Sequence, residues 1–90
     1  MSELEKKFNE TAEFVRSWHP AKTVSNEDKL AGYSLFKQAT IGDCNIPAPG
    51  IFSLTERAKW NAWNALKGMS KEEAMQKYID CIEAQKVKYA

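Results

Sequence analysis

The chain has 90 residues, of which 43% are hydrophobic and 28% charged, and its formal net charge is +1. That length supports one modest hydrophobic core, so we expect a single domain over residues 1–90, and the apolar content is too high for an intrinsically disordered chain. The nearly balanced charge argues against a protein whose whole surface is built to bind nucleic acid.

The first predicted helix runs from about Glu3 to Ser17. Ser2, followed three residues later by Glu5, has the pattern of a capping box, in which a hydroxyl and a carboxylate satisfy free backbone N–H groups at a helix start. Pro20 ends the helix. Apolar residues at spacings of four and three form one stripe along it: Leu4, Phe8, Ala12 and Val15.

The second predicted helix runs from about Asn26 to Ile41, after a capping residue at Ser25. Gly42 follows at the position where a left-handed residue commonly closes a helix. The segment Asp43 to Phe52 contains two prolines and a glycine, so it forms neither a helix nor a continuous strand. A loop of this length in a small domain often has functional contacts.

The third predicted helix covers roughly Leu54 to Lys67 with Gly68 as its terminator, and the fourth covers Lys71 to about Tyr89. In the fourth helix, Met75, Ile79 and Ile82 recur at helical spacing. Both starts repeat the capping-box pattern, at Ser53 with Glu56 and at Ser70 with Glu73.

No stretch alternates apolar and polar residues as a half-buried strand would, so the sequence predicts an all-α domain of four helices. The short connection favours the third and fourth helices as antiparallel neighbours. The long loop allows the second and third helices to run in the same direction, and the sequence alone leaves that order open.

Several site classes are not expected. The single histidine, His19, lies beside a proline in a turn, and Cys44 and Cys81 are far apart, so no metal-ligand spacing exists. There is no Gly-rich phosphate loop and no Gly-x-Ser-x-Gly turn. We therefore expect binding rather than catalysis. The chain start lacks a secretory signal and no apolar run could span a bilayer, so we expect a cytoplasmic protein with reduced thiols.

The second helix departs from a simple apolar stripe because it places two aromatic rings and a cation in one neighbourhood. Tyr33 and Lys37 are four residues apart, and Phe36 lies beside them. A phenol and an ammonium one turn apart can both donate to a phosphate, while a ring stacks on a heterocyclic base. The same spacing also fits an aromatic core residue beside a solvated lysine.

The third helix repeats this mixture, because Lys59 precedes Trp60 and Trp63 lies on the same face. Tryptophans at this spacing usually belong to a core, and a lysine can cover them with its methylenes while its ammonium stays in water. Tyr78 and Arg16 add a ring and a guanidinium, each of which is more often structural than functional in isolation.

Two segments of the sequence resemble the acyl-CoA-binding protein family. One is YSLFKQATIGD, from Tyr33 to Asp43, and the other is AKWNAWN, from Ala58 to Asn64. The resemblance continues through Leu66-Lys67-Gly68 and on to Tyr78-Ile79, so it covers essentially the whole chain.

This resemblance implies a four-helix bundle in an up-down-down-up order that holds one medium- to long-chain fatty acyl-CoA per monomer in a surface bowl and transports it without catalysis. It implies no cofactor. It implies phosphate contacts for Tyr33, Lys37 and Lys59, especially with the 3′-phosphate of the coenzyme's ribose, and a contact of Tyr78 with the adenine-nucleotide end.

The resemblance also implies a basic residue on the first helix at Arg16, a small residue near the nucleotide at Ala12, and contact of Leu30 with the far end of the acyl chain. Two departures touch the site. Phe36 occupies a position that is usually tyrosine, which removes a hydroxyl but keeps the ring. The segment Leu54 to Arg57 replaces a commoner Phe-Lys-Gly-Lys pattern, so a cation is lost and a carboxylate is gained.

The expected partners are acyl-CoA itself and, transiently, acyl-CoA-using enzymes or membranes, with no nucleic acid and a monomeric state. The alternatives are two other classes of protein. A helical interaction module could grip a partner helix through its aromatic face. A DNA-binding domain needs a basic recognition helix, and none of the predicted helices has a dominant positive stripe.

Overall fold

The computed structural model describes residues 2–90 and consists of four helices. Helix α1 spans Glu3–Ser17, α2 spans Asn26–Thr40, α3 spans Leu54–Asn64 and α4 spans Lys71–Lys88. Residues 2–90 contain no β-strand, so the predicted all-α, four-helix fold is confirmed.

The predicted helix ends agree with the structure except at α3. That helix ends at Asn64 rather than Lys67. The next residues form a turn, in which the N–H of Leu66 donates to the Trp63 carbonyl at 3.0 Å and the N–H of Lys67 to the Asn64 carbonyl at 3.2 Å. These three-residue spacings tighten the chain, and Gly68 then adopts a positive φ of 95°.

Serine side chains cap three of the four helices. Ser2 and Ser70 each accept a backbone N–H at 3.1 Å, and Ser25 accepts one at 3.2 Å. The predicted capping box at Ser53 is wrong, because Ser53 makes no side-chain capping hydrogen bond. Its ψ is 70° rather than extended, since its own N–H closes a turn onto the Gly50 carbonyl at 3.0 Å.

Helix α4 packs against both α1 and α2, and α3 packs against α2. Within residues 2–90, α3 makes no helix–helix contact with α4, so the expectation that these two helices would be neighbours is wrong. The turn after α3 redirects the chain before α4 begins. The molecule is therefore a slab of 35 × 33 × 17 Å. Six residues form its buried core: Phe8, Ala39, Ala74, Tyr78, Ile79 and Ile82.

A network of hydrogen bonds around Asp43 joins the start of the long loop to the α3–α4 turn. The Asp43 carboxylate accepts from the Gly68 N–H at 2.9 Å and from the Gln38 amide at 3.0 Å. Gln38 is fully buried and also donates to the Met69 carbonyl at 2.8 Å. The Gly68 N–H is the main cause of the lowered pKa of Asp43, followed by the Gln38 amide.

The rest of the loop is held against α3 by two side chains of that helix. Trp60 Nε1 donates to the Ile46 carbonyl at 2.8 Å, and Arg57 donates to the Pro49 carbonyl at 2.9 Å. The loop therefore has a fixed path even though it has no regular structure.

The end of α4 is fastened to the start of α2. The Tyr89 hydroxyl donates to the Asp28 carboxylate, and Lys88 Nζ lies 2.8 Å from the same oxygen. Gln85 donates to the Asp28 carbonyl at 2.9 Å. The hydrogen bond from Lys88, followed by that from Tyr89, lowers the pKa of Asp28.

None of the helices within residues 2–90 combines the length and the apolar character that crossing a bilayer requires. Cys44 and Cys81 are half-buried free thiols. No three metal-binding side chains converge in the described part of the chain.

The difference between Ser70 and Ser53 can be measured. Ser70→Ala should lower the free energy of unfolding by about 1 kcal/mol, because the N–H that it caps loses its partner. The melting temperature should fall by roughly 4–8 °C. Ser53→Ala is the matched control and should change the free energy by less than about 0.5 kcal/mol. Both variants are measured by urea and thermal unfolding. Equal losses of stability in Ser70→Ala and Ser53→Ala would contradict the assigned caps.

The hydrogen-bond network around Asp43 predicts a dependence of stability on pH. Because the folded-state pKa of Asp43 lies below the ordinary value of 3.8, its stabilisation is present above that value and is lost as the pH falls through the folded pKa. Asp43→Asn should therefore be less stable than the wild type at neutral pH. The difference in unfolding free energy should shrink below about pH 4. A difference that stays constant with pH would show that the carboxylate charge is not responsible.

Candidate functional site

Helices α2 and α3 bring two ammonium groups to one tyrosine ring. Lys37 Nζ lies 5.8 Å and Lys59 Nζ 5.5 Å from the centroid of the Tyr33 ring, and Lys37 Nζ lies 5.6 Å from that of Trp63. Tyr33 and Lys37 meet because they are one turn apart on α2. Lys59 joins them because α3 packs against α2. The structure therefore places the three predicted phosphate-contacting residues together.

The two cations are poorly neutralised. Lys37 has no carboxylate within ion-pair distance among residues 2–90, and Lys59 has only Glu56, at 4.0 Å. The side chains of that pair are 41% and 66% exposed, so the pair is weak. Two nearby positive charges with one distant carboxylate make a site that attracts an anion.

The phenol of Tyr33 adds a neutral donor to this cluster. Burial, followed by the negative charge of Glu56, raises the pKa of Tyr33 above its ordinary value of 10.0. The hydroxyl therefore stays protonated at neutral pH and can donate a hydrogen bond. Two ammonium groups and one hydroxyl are the donors that a phosphate needs, and charge-assisted hydrogen bonds to phosphate are the strong kind.

A cluster of aromatic rings lies one turn along α2. Phe36 is 5.8 Å from both Phe8 and Tyr78, measured between ring centroids, and Phe8 meets Tyr78 at 5.2 Å edge-on. Phe36 is 37% exposed and Tyr78 only 4%. Burial raises the pKa of Tyr78 to about 12, so this phenol is neutral too. The exposed face of Phe36 is available to a planar ligand group.

Three cavities adjoin these groups, and one of about 370 Å³ is lined by Ala12, Arg16 and Phe36 among others. The main cavity, about 440 Å³, lies between α1, α2 and α4, and five of the predicted site residues line it: Ala12, Arg16, Tyr33, Phe36 and Tyr78. The side groove, about 300 Å³, lies between α2 and α3 and is lined by Leu30 and Lys59 among others. Lys37 lines neither of these two and adjoins the main cavity through the Tyr33 ring.

The positive charge of Arg16 is less available to a ligand than the charges of Lys37 and Lys59. Its guanidinium lies 3.2 Å from the Glu13 carboxylate, and the two side chains are 77% and 74% exposed. The residue borders the main cavity, but its charge is partly balanced and fully hydrated.

The segment Leu54 to Arg57 at the start of α3 affects the site through two charged side chains. Arg57 uses its guanidinium to hold the loop at Pro49. Glu56 faces Lys59, so a carboxylate competes with any anion for that ammonium. The departure noted in the sequence therefore lies within the cluster itself.

Two further residues of the cavities were not identified from the sequence. Lys29 lines both the main cavity and the side groove, and it lies four residues before Tyr33, a spacing that could have revealed it. Trp18 lines the main cavity and packs on Phe14, with 5.5 Å between ring centroids. No local pattern marks Trp18, because it lies just past the end of α1.

The chain is similar to known proteins in both sequence and fold. The family model described as "Acyl CoA binding protein" matches residues 5–82. The chain is 54% identical over 76 residues to acyl-CoA-binding domain-containing protein 3 of Oryza sativa subsp. japonica; the match covers 84% of the chain but only 48% of that relative, about half its length. It is 47% identical to the acyl-CoA-binding protein of Dictyostelium discoideum, covering 92% of the chain and 96% of the relative.

The fold is similar to a solved structure as well. The crystal structure of Oryza sativa acyl-CoA-binding protein 2 superposes with a TM-score of 0.84 and 47% sequence identity, over 94% of this chain and 89% of that one.

Proposed function

The chain belongs to the acyl-CoA-binding protein family, a family of non-catalytic binding proteins, and from that premise we propose what this chain binds and how. It binds one medium- to long-chain fatty acyl-CoA per monomer. It keeps the thioester and the apolar tail from water and delivers the ester to enzymes or membranes. It acts as a cytoplasmic monomer without a cofactor.

The observation that carries this proposal is the position of Lys37, Lys59 and Tyr33, here called the cationic cluster. The cluster lies between two apolar recesses, the main cavity and the side groove. Lys37, Lys59 and the Tyr33 hydroxyl supply donors for the 3′-phosphate of the coenzyme's ribose. An acyl-CoA has this composition, with a highly charged nucleotide at one end and a hydrocarbon chain at the other. A purely anionic ligand would leave the apolar walls without a partner, and a purely apolar ligand would leave the cations without one.

The main cavity suits the nucleotide. Phe36 offers a half-exposed ring on which adenine can stack, and Tyr78 forms the wall beneath it. Ala12 borders the cavity with a small side chain, which leaves room for the base, and Arg16 adds a cation at the rim. Because Phe36 lacks a hydroxyl, its contribution is stacking alone.

The side groove suits the acyl chain. Leu30, Leu54 and Ala58 give it apolar walls. Each methylene that leaves water contributes about 0.8 kcal/mol, so affinity should increase with acyl length until the groove is filled. The head then fixes the orientation of the ligand and the tail supplies most of the length dependence.

Calorimetric titration with palmitoyl-CoA, kept below its micelle concentration, tests the proposal. The wild type should give saturable heat with one site, and coenzyme A or the free fatty acid alone should bind far more weakly. Lys37→Ala and Tyr33→Ala should each weaken binding by about 1.5–3 kcal/mol, roughly 10- to 150-fold, through loss of a charge-assisted phosphate contact.

Two matched variants accompany this titration. Lys77→Ala removes an exposed lysine that lines none of the described cavities and should leave the affinity unchanged. Arg16→Ala should have a smaller effect than Lys37→Ala, because Glu13 already balances the guanidinium. Absence of saturable heat in the wild type would refute the carrier function, and unchanged affinity in both site variants would put the nucleotide elsewhere.

The carboxylate of Glu56 gives a prediction in the opposite direction. Glu56→Gln should raise the affinity for acyl-CoA about two- to fivefold at low salt, because Lys59 no longer shares its charge with a carboxylate. The gain should shrink as salt is added, since both side chains are exposed. A loss of affinity would mean that Glu56 positions Lys59 rather than competing for it.

A further inference from the structure

The long loop and the first residue of α3 together present four large apolar side chains to solvent. Phe52 is 93% exposed, Leu54 76%, Ile51 67% and Ile46 50%. These four residues are called the apolar tip. Single exposed apolar residues are ordinary on a protein surface, but four within nine consecutive positions mark a surface that meets something apolar.

The charge distribution around the tip is equally uneven. Residues 44–55 contain none of the 13 basic and 12 acidic residues of the chain. Charged side chains make transfer of a surface out of water expensive. A segment that lacks them can enter an apolar or interfacial environment at low cost.

The loop cannot hide these side chains by folding back, because its backbone is fastened. Arg57 holds the Pro49 carbonyl, Trp60 holds the Ile46 carbonyl, and the Ser53 N–H closes a turn onto the Gly50 carbonyl. The tip is therefore a constant feature of the fold. Ile51 and Phe52 project from a turn, whereas peptide and helix partners are recognised by grooves or by sheet edges.

The tip is continuous with the side groove and with positive charge. Leu54 belongs to both, and the same groove is lined by Lys29 and Lys59. Against these ammonium groups stands the carboxylate of Glu56, so the groove side of the tip carries an excess of cations. An apolar tip beside cations complements a surface with anionic headgroups above a hydrocarbon layer.

We propose that the apolar tip docks into the headgroup–acyl boundary of an anionic phospholipid bilayer and brings the mouth of the side groove to the membrane. Docking uses Ile51 and Phe52 as the inserted side chains, with Leu54 at the border between bilayer and groove. That an acyl chain then passes between the membrane and the groove rests on the proposed function, whereas docking itself does not require a ligand.

Co-sedimentation of the ligand-free full chain with vesicles tests the docking. The vesicles contain phosphatidylcholine and phosphatidylserine in equal amounts, or phosphatidylcholine alone. The wild type should partition onto the mixed vesicles more strongly than onto the neutral ones. The double variant Ile51→Ser/Phe52→Ser should partition at least about tenfold more weakly, because two large apolar side chains no longer leave water.

Val87→Ser is the matched control, because Val87 is 81% exposed on α4, outside the tip. It should partition like the wild type. Unchanged partitioning of the double variant, an equal loss in Val87→Ser, or equal binding to neutral vesicles would each overturn the proposal, and so would a wild type that vesicles do not capture.

The same variants separate docking from ligand binding. Neither Ile51 nor Phe52 lines the side groove, so palmitoyl-CoA affinity in vesicle-free solution should be the same in the double variant and the wild type. The vesicle measurement contains no acyl-CoA and the titration contains no vesicles. Failure of the docking proposal therefore appears in the first measurement, and failure of the carrier function in the second.

Discussion

Burial of α4 against two helices at once is the constraint on which the rest of the structure depends. Ala74 is fully buried and Ile79 and Ile82 are nearly so, because α1 and α2 both pack on this one helix. Within residues 2–90, α1 and α2 make no direct backbone contact with each other. The gap between them is the main cavity, and Tyr78 and Ile82 of α4 line it. The cavity thus results from how the core is packed rather than from a missing side chain.

The site then combines groups that would be unfavourable in a protein without a ligand. Lys37 and Lys59 place two positive charges around one ring, and Phe36 keeps more than a third of its surface in water. The core residues Phe8 and Tyr78 pack against Phe36 and hold its ring in place. An anion with a planar group would relieve both the repulsion and the exposure, which is the physical link between this fold and a nucleotide ligand.

Apart from what the family resemblance implied, the features that the sequence predicted correctly were local. The caps at Ser2 and Ser70 are contacts over three residues, and the pairing of Tyr33 with Lys37 is one turn of a helix. The lack of contact between α3 and α4 within residues 2–90 could not be predicted, since the short connection between these two helices favours packing of one on the other. The missing cap at Ser53 depends on a turn formed by the preceding loop. Local capping patterns assume an extended cap residue, and nothing in the sequence shows that ψ there is 70°.

Long-range polar contacts were equally beyond local patterns, although they determine where the site lies. The bond between Tyr89 and Asp28 joins residues 61 positions apart and fixes the start of α2, which carries the site. The hydrogen-bond network around Asp43 fixes the other end of α2 against the turn before α4. With both ends held, α2 is a rigid support whose one face meets α3 and whose other face meets α4. The cationic cluster, the main cavity and the side groove all include residues of α2, so their relative positions depend on these two polar contacts together with the packing of α2 on α3 and α4.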